Sequence, residues 1–199
     1  MAENNGKSRK TVTRTIRIDS DVDKNLEELS SKERTSVNFL INKALRRYME
    51  WDYLAVKFGV NANFPHSSRK LLTYLSDNEV TEFARWVART VFKEYVEFWF
   101  KSVNMDNVLK AIRLLGSAGN FQHEEFSDGV MKTIICKHNM GPKWSLYYEE
   151  IFKHFFQEVL SADAKIESSE NQVLIRLPHS TESFLESLYG DLRKQKSGS

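Results

Sequence analysis

Hydrogen-bonding and apolar side chains alternate over residues 10–18, which read KTVTRTIRI. The polar parity holds Thr11, Thr13, Thr15 and Arg17. The apolar parity holds Val12, Ile16 and Ile18. This alternation, together with three β-branched threonines, predicts a strand with one polar and one apolar face. Hydroxyl and guanidinium groups in a row along one face can form hydrogen bonds with another molecule, so this face is a candidate binding surface.

Two short amphipathic helices are predicted directly after this strand. Ser20 followed by Asp23 is typical of a helix N-cap, and the first helix is expected to span about three turns. Thr35 or Ser36 caps a second helix, whose apolar residues form one stripe. A single strand cannot pair with itself within this segment, and two short helices cannot bury a core alone. We therefore expect the chain to dimerise.

Residues 10–50 resemble the Arc/MetJ-type ribbon-helix-helix DNA-binding repressors in strand length, helix lengths and the capped second helix. In that family, strands from two protomers pair antiparallel, and this swapped two-stranded ribbon enters the major groove. The resemblance covers roughly a quarter of the chain. It implies a homodimeric, sequence-specific transcriptional regulator of prokaryotic type that binds double-stranded DNA, with repression as the commoner mode.

The resemblance also implies which side chains read the bases. A ribbon in the groove points its polar face at base edges, so base contacts are expected from Thr13, Thr15 and Arg17. Arginine can grip guanine O6 and N7 with two hydrogen bonds, and threonine can donate, accept or place its methyl group against thymine. Arg14 lies on the apolar parity, where the family more often has an apolar residue, and is expected to bend outward to phosphate.

Further phosphate contacts are expected at the start of the second helix, where backbone N–H groups and the positive end of the helix dipole attract anions. Thr35, Ser36 and Asn38 supply side-chain donors there, and Lys10 adds positive charge at the start of the strand. Such contacts position a protein on DNA without reading its sequence.

The whole chain is predicted to be α+β and helix-rich. Residues 66–117 have helical periodicity, whereas VMKTIICKH and NQVLIRL predict strands, the second paired with AKIES in a small antiparallel sheet. A helix beginning near Pro142 lies between them, and the amphipathic TESFLESLYGDL follows. The expected domains are a disordered basic arm at 1–9, a ribbon-helix-helix DNA-binding and dimerisation module at 10–58, a mixed α/β regulatory or assembly domain at 60–194, and a disordered tail at 195–199.

The residues of the second domain suggest two kinds of ligand site, a metal site and an effector pocket, and each has a purely structural alternative. Cys136 and His138 are two residues apart in a predicted strand, which would put them on the same face, and His123 and His154 could approach as further ligands. Cysteine and histidine are ligands that suit zinc, nickel or copper. The spacing of known metal motifs is missing, and a lone buried cysteine usually acts as a small hydrophobic residue. No metal or cofactor is therefore expected.

The aromatic residues of the second domain suit an effector pocket, but aromatic stripes more often form a core or an oligomer interface. The helix after Pro142 carries most of them: Trp144, Tyr147, Tyr148, Phe152, Phe155 and Phe156. An effector of unknown identity is thus compatible with the sequence. Tyr95, Trp99 and their neighbours Phe98 and Phe100 suit an interface equally well.

Composition excludes several classes of protein. No phosphate-cradling glycine loop, nucleophile elbow or metalloprotease spacing occurs, so an enzyme is not expected. One cysteine, no signal-peptide pattern and no long apolar run predict a cytoplasmic protein without membrane contact.

Two alternatives to a specific regulator stay open: an antitoxin that regulates its own operon, and an architectural protein that coats DNA non-specifically. A tetramer built from two such dimers also stays open.

Overall fold

The computed structural model describes residues 11–60, 64–119 and 121–178. The chain divides into two compact units, one ending at Glu50 and the other beginning at Trp51. This division precedes Gly59, where the sequence predicts the domain boundary. The predicted arm at 1–9, the amphipathic segment TESFLESLYGDL and the predicted tail at 195–199 lie outside the described residues.

The first unit contains two helices, α1 (Ser20–Glu33) and α2 (Val37–Arg47). Asp19, not Ser20, is the N-cap of α1, because Asp19 has extended backbone angles and its carbonyl accepts from the Asp23 N–H at 2.9 Å. With 14 residues, α1 is also longer than the three turns expected. Ser36 caps α2 as predicted.

Residues 11–19 form no strand within the chain, although the sequence predicts one over residues 10–18. A β-ladder needs a second strand, and the described part of the first unit contains no other extended segment to pair with. Val12 and Ile16 are accordingly 75% and 56% exposed. The segment with alternating polar and apolar side chains therefore has no partner strand in the described part of the first unit.

The second unit begins with helices. In chain order they are α3 (Tyr53–Phe58), α4 (Pro65–Leu72), α5 (Asp77–Val87), α6 (Lys93–Phe100), α7 (Met105–Ala118) and α8 (Pro142–His154). The helices predicted over residues 66–117 are confirmed, and a π-helical turn at Ala88–Phe92 joins α5 to α6. Two further π-helical turns occur: Tyr48–Asp52 precedes α3, and Phe155–Val159 follows α8.

Four strands form one antiparallel sheet in the order β1-β2-β4-β3. They are β1 (Gln122–Ser127), β2 (Met131–Lys137), β3 (Lys165–Ser169) and β4 (Gln172–Pro178). The sequence predicts β2, β3 and β4, but not β1. Helix α8 connects the two hairpins. The α+β, helix-rich fold class with a small antiparallel sheet is confirmed.

The core of the second unit lies between one face of the sheet, α8 and α5, and it continues between α6 and α7. That face carries Ile134, Ile166, Val173, Ile175 and Leu177, all at most 5% exposed. Tyr95 and Trp99 are 4% and 9% exposed and belong to this core, so the alternative that they form an oligomer interface is wrong.

The π-helical turns Ala88–Phe92 and Phe155–Val159 meet in the core through aromatic rings. Phe92 and Phe155 lie edge to face, with ring centroids 4.7 Å apart and planes at 80°. Edge-to-face aromatic pairs add stability beyond the area that they bury. Phe155 is completely buried.

Replacing Phe155 with alanine should therefore lower the free energy of unfolding by about 3–5 kcal/mol, the usual cost of a large core cavity. Phe126 is 57% exposed on β1, and Phe126→Ala should change stability by less than about 0.5 kcal/mol. Urea denaturation followed by tryptophan fluorescence measures both variants. Equal losses would contradict the assigned core.

Candidate nucleic-acid interface

The start of α2 presents hydrogen-bond donors to solvent. The Ser36 Oγ accepts from the Phe39 N–H at 3.1 Å, and the Ser36 carbonyl accepts from the Leu40 N–H at 3.1 Å. Helix geometry leaves the N–H groups of Val37 and Asn38 without an intrahelical acceptor. Because the Ser36 hydroxyl accepts through its oxygen, its hydrogen stays available for donation to an anion.

Asn42 fixes the orientation of the Asn38 side chain. Its amide nitrogen donates to the Asn38 carbonyl at 2.8 Å and to the Asn38 Oδ1 at 3.2 Å. With its oxygen engaged as an acceptor, the exposed Asn38 side chain keeps its NH₂ group as a donor. The start of α2 thus gathers backbone and side-chain donors on one small surface.

The two helices of the first unit differ in the charge at their N-termini. The first turn of α1 contains Asp21 and Asp23, whose carboxylates already complement the positive end of its dipole. The first turn of α2 contains no acidic residue, and its last turn contains Arg46 and Arg47. An anion such as a phosphate is therefore attracted to the start of α2 and repelled from the start of α1.

The loop that leads into α2 is held by Ser30 and Arg34. The Ser30 hydroxyl donates to the Thr35 carbonyl at 2.6 Å, and the Thr35 N–H donates to the Ser30 carbonyl at 3.0 Å. Arg34 turns the chain in a left-handed conformation at φ 52°. These contacts fix Thr35, which is half-buried, and set the direction in which Ser36 begins the helix.

The structure places the predicted DNA-contacting residues in two groups. Thr13, Arg14, Thr15 and Arg17 are exposed in the segment that precedes α1, whereas Thr35, Ser36 and Asn38 cluster at the start of α2. Lys10 lies outside the described residues. Sequence reasoning missed Ser30 and Asn42, although the four-residue spacing from Asn38 to Asn42 is a signal for a contact on one helix face.

His138, one of the metal-ligand candidates, is engaged at both ring nitrogens. Its Nδ1 accepts from the Met140 N–H at 3.3 Å, so Nε2 carries the proton and donates to the Ser145 Oγ at 3.1 Å. Ser145 in turn donates to the Glu170 carbonyl at 3.1 Å. This buried chain anchors the start of α8. His138 also lies beyond the end of β2, not on the strand with Cys136 as predicted.

His154 is likewise held on both sides. The Arg89 Nε donates to its Nε2 at 2.6 Å, and its Nδ1 lies 2.6 Å from the Glu158 Oε1. Burial is the largest cause that lowers the pKa of His154, opposed by the Glu158 carboxylate and assisted by Arg89. The ring therefore links the π-helical turn Ala88–Phe92, through Arg89, to the turn Phe155–Val159, through Glu158.

Cys136 lies opposite His123 in the pairing of β1 and β2. Burial raises the pKa of the Cys136 thiol to about 12, which keeps it protonated and weakly reactive. The two histidines have other partners: His138 contacts Met140 and Ser145, and His154 contacts Arg89 and Glu158. Among residues 11–60, 64–119 and 121–178, no group of three or more histidine, cysteine, aspartate or glutamate side chains is placed to hold a metal ion.

No protein-family model matches the chain, and no curated protein is similar to it. Within the part of the chain that the structure describes, no helix is both long and apolar enough to cross a membrane.

The buried histidines should make the second unit less stable in mild acid. Burial lowers the pKa of His138 below its ordinary value of 6.5, so below that pH the unfolded chain takes up a proton that the folded chain refuses. Stability is then full above pH 6.5 and decreases as the pH falls. His154 acts in the same direction.

We expect the free energy of unfolding, measured by urea denaturation, to be lower at pH 5.5 than at pH 7.5. Both values lie above the ordinary carboxyl pKa of 4.5, so carboxylates contribute little to the difference. The variant His138→Gln should show a smaller difference between the two pH values than the parent chain. An unchanged difference would remove His138 as a cause.

Proposed function

We propose that this chain is a homodimeric, sequence-specific DNA-binding transcriptional regulator of the ribbon-helix-helix type. Residues 11–18 of two copies would pair antiparallel and enter the major groove. The observation that carries the proposal is the exposed alternation of polar and apolar side chains directly before two helices that enclose little core of their own.

The poor burial of the first unit supports a second copy as the missing partner. Leu40 is the single buried residue of α1 and α2. In contrast, Val12, Ile16, Phe39 and Leu45 are between 55% and 75% exposed. Burying apolar surface stabilises by about 25 cal/mol per Å², so these side chains gain free energy when covered. Pairing the two segments would cover one face of the ribbon and satisfy its backbone hydrogen bonds at once.

The polar side of the same unit supports DNA as the ligand. On a paired ribbon, Thr13, Thr15 and Arg17 would share the face away from the apolar residues. The donors at Ser36 and Asn38 suit phosphate oxygens, and no acidic residue in the first turn of α2 opposes them. Base readers and phosphate anchors are thus separated, as is usual in protein–DNA interfaces. The second unit would regulate or assemble the dimer.

Arg17→Ala should relax the preference for one base in each half-site, at a cost of about 1–3 kcal/mol. The measurement is selection of bound duplexes from a randomised DNA pool at near-physiological salt. Arg14→Ala is the matched control, because Arg14 has the same charge but lies on the other parity. It should weaken binding to all sequences alike.

A short palindromic or tandem consensus that blurs only with Arg17→Ala supports the proposal. Binding without any enriched sequence, with a steep loss of affinity as salt rises, would indicate a DNA-coating protein instead. A consensus that Arg17→Ala leaves intact would contradict the ribbon assignment.

Ser36→Ala should weaken binding to specific and non-specific duplexes by the same factor, because a phosphate contact carries no sequence information. The change also removes an N-cap, which costs about 1 kcal/mol of stability, so circular dichroism must confirm that the variant is folded. Ser31→Ala, an exposed serine on α1, serves as the control in the binding titration. A loss confined to one sequence would argue against a phosphate role.

A further inference from the structure

A cleft of about 200 Å³ opens in the second unit where three parts of the chain meet. They are the start of α4, the end of α7, and the loop between β2 and α8. Because these parts are distant in sequence, the fold alone brings them together. We call this cleft the α4 cleft, and its walls include Pro65, His66, Arg69, Phe121, Asn139 and Met140.

The floor of the α4 cleft is apolar and fixed in place. The Phe121 N–H donates to the Gly116 carbonyl at 2.8 Å, and the Phe121 ring meets Tyr148 edge to face, with centroids 5.4 Å apart. Gly119 also lines the cleft, and a β-carbon there would lie 3.6 Å from the Phe121 ring. The glycine therefore leaves this side of the ring uncovered. Met140, which is half-buried, adds a second apolar surface.

The rim of the cleft carries hydrogen-bond donors and a positive charge. His66 and Arg69 are three residues apart on α4, so they lie on the same face of the helix. The Arg69 Nε lies 3.7 Å from the position that a β-carbon on Gly141 would occupy, so this side chain reaches across to the loop before α8. Asn139, exposed on that loop, adds an amide group. No aspartate or glutamate among the described residues lines the cleft.

Arg69 lacks the carboxylate partner that the other arginines of this unit have. The described part of the second unit contains five arginines, and four of them pair with a glutamate. These four are Arg85, Arg89, Arg113 and Arg176. The Arg69 side chain forms no hydrogen bond or ion pair with any part of the chain that the structure describes. Its guanidinium is therefore available to an anion from outside the chain.

We propose that the α4 cleft binds a small organic anion, namely a carboxylate attached to an apolar body the size of an aromatic ring. The carboxylate accepts two parallel hydrogen bonds from the Arg69 guanidinium, and the body packs on Phe121 and Met140. An apolar cavity of about 150 Å³ holds one benzene molecule, so a cleft of about 200 Å³ has room for a ring and its carboxylate. A free phosphate fits less well, because the apolar floor would desolvate oxygens that find no donor there. This inference goes beyond the proposed function and does not rest on it.

The test is the amide NMR spectrum of the isotope-labelled full chain, titrated with benzoate into the millimolar range, since so small a molecule binds weakly. The signals of Gly119, Phe121, Asn139 and Met140 should shift and saturate. Two related compounds separate the two parts of the ligand. Benzamide has the ring without the charge, and acetate has the charge without the ring. Each should bind at least about 10-fold more weakly than benzoate.

Arg69→Gln should weaken benzoate binding by about 10-fold or more, because hydrogen bonds between two charged groups are the strong ones. Lys70→Gln is the matched control. It removes the same charge from the next residue of α4, but the Lys70 ammonium lies over the Tyr74 ring at 5.1 Å and does not line the cleft. This variant should keep the parent affinity, and the spectra themselves verify that both variants are folded.

Three outcomes overturn the proposal. They are the absence of any saturable shift with benzoate, phenylacetate or cyclohexanecarboxylate, equal losses with Arg69→Gln and Lys70→Gln, and inorganic phosphate that binds as tightly as benzoate. Because no DNA is present in these titrations, their failure is distinguishable from failure of the proposed function, which the selection of bound duplexes tests.

Discussion

Helix α8 packs against β3 and β4 of the sheet and against α5, and the second unit depends on this packing. Its apolar residues and those of the π-helical turn that follows fill the space between the two layers. Phe155 and Phe156 are completely buried there. Since apolar packing has little directional preference, it does not by itself decide how far the helix slides along its axis.

Polar contacts at both ends of α8 fix its position along the helix axis. At its start, His138 and Ser145 form a hydrogen-bonded chain that ends on the Glu170 carbonyl. At its end, His154 receives a hydrogen bond from Arg89. Buried polar groups are costly when unpaired, so each contact penalises a shift of the helix. The histidines considered as metal ligands from the sequence thus serve to hold a helix in register.

The fold was predictable where side-chain pattern and local capping agree. Apolar alternation revealed β2 and β4, and Ser36 marked the start of α2. Strand β1 was not predicted because its inward residues, His123 and Glu125, are polar and so give no apolar alternation. Contacts with other elements stabilise them there: the Arg113 Nε of α7 donates to the Glu125 Oε1 at 3.1 Å. The candidate DNA-contacting residues could be named from alternation and a resemblance. Their strand pairing stays a prediction, because a ladder between two chains cannot form within one.

The π-helical turn at Ala88–Phe92 contains one residue more than an α-helical turn over the same stretch would need. One residue corresponds to a rotation of about 100° around the helix axis. The turn therefore decides that Tyr95 and Trp99 of α6 face the core while Trp86 of α5 faces solvent. Deleting a single residue here would keep the helix continuous but rotate its second half out of register. The length of this segment is thus as constrained as its composition, and relatives of this chain should preserve it.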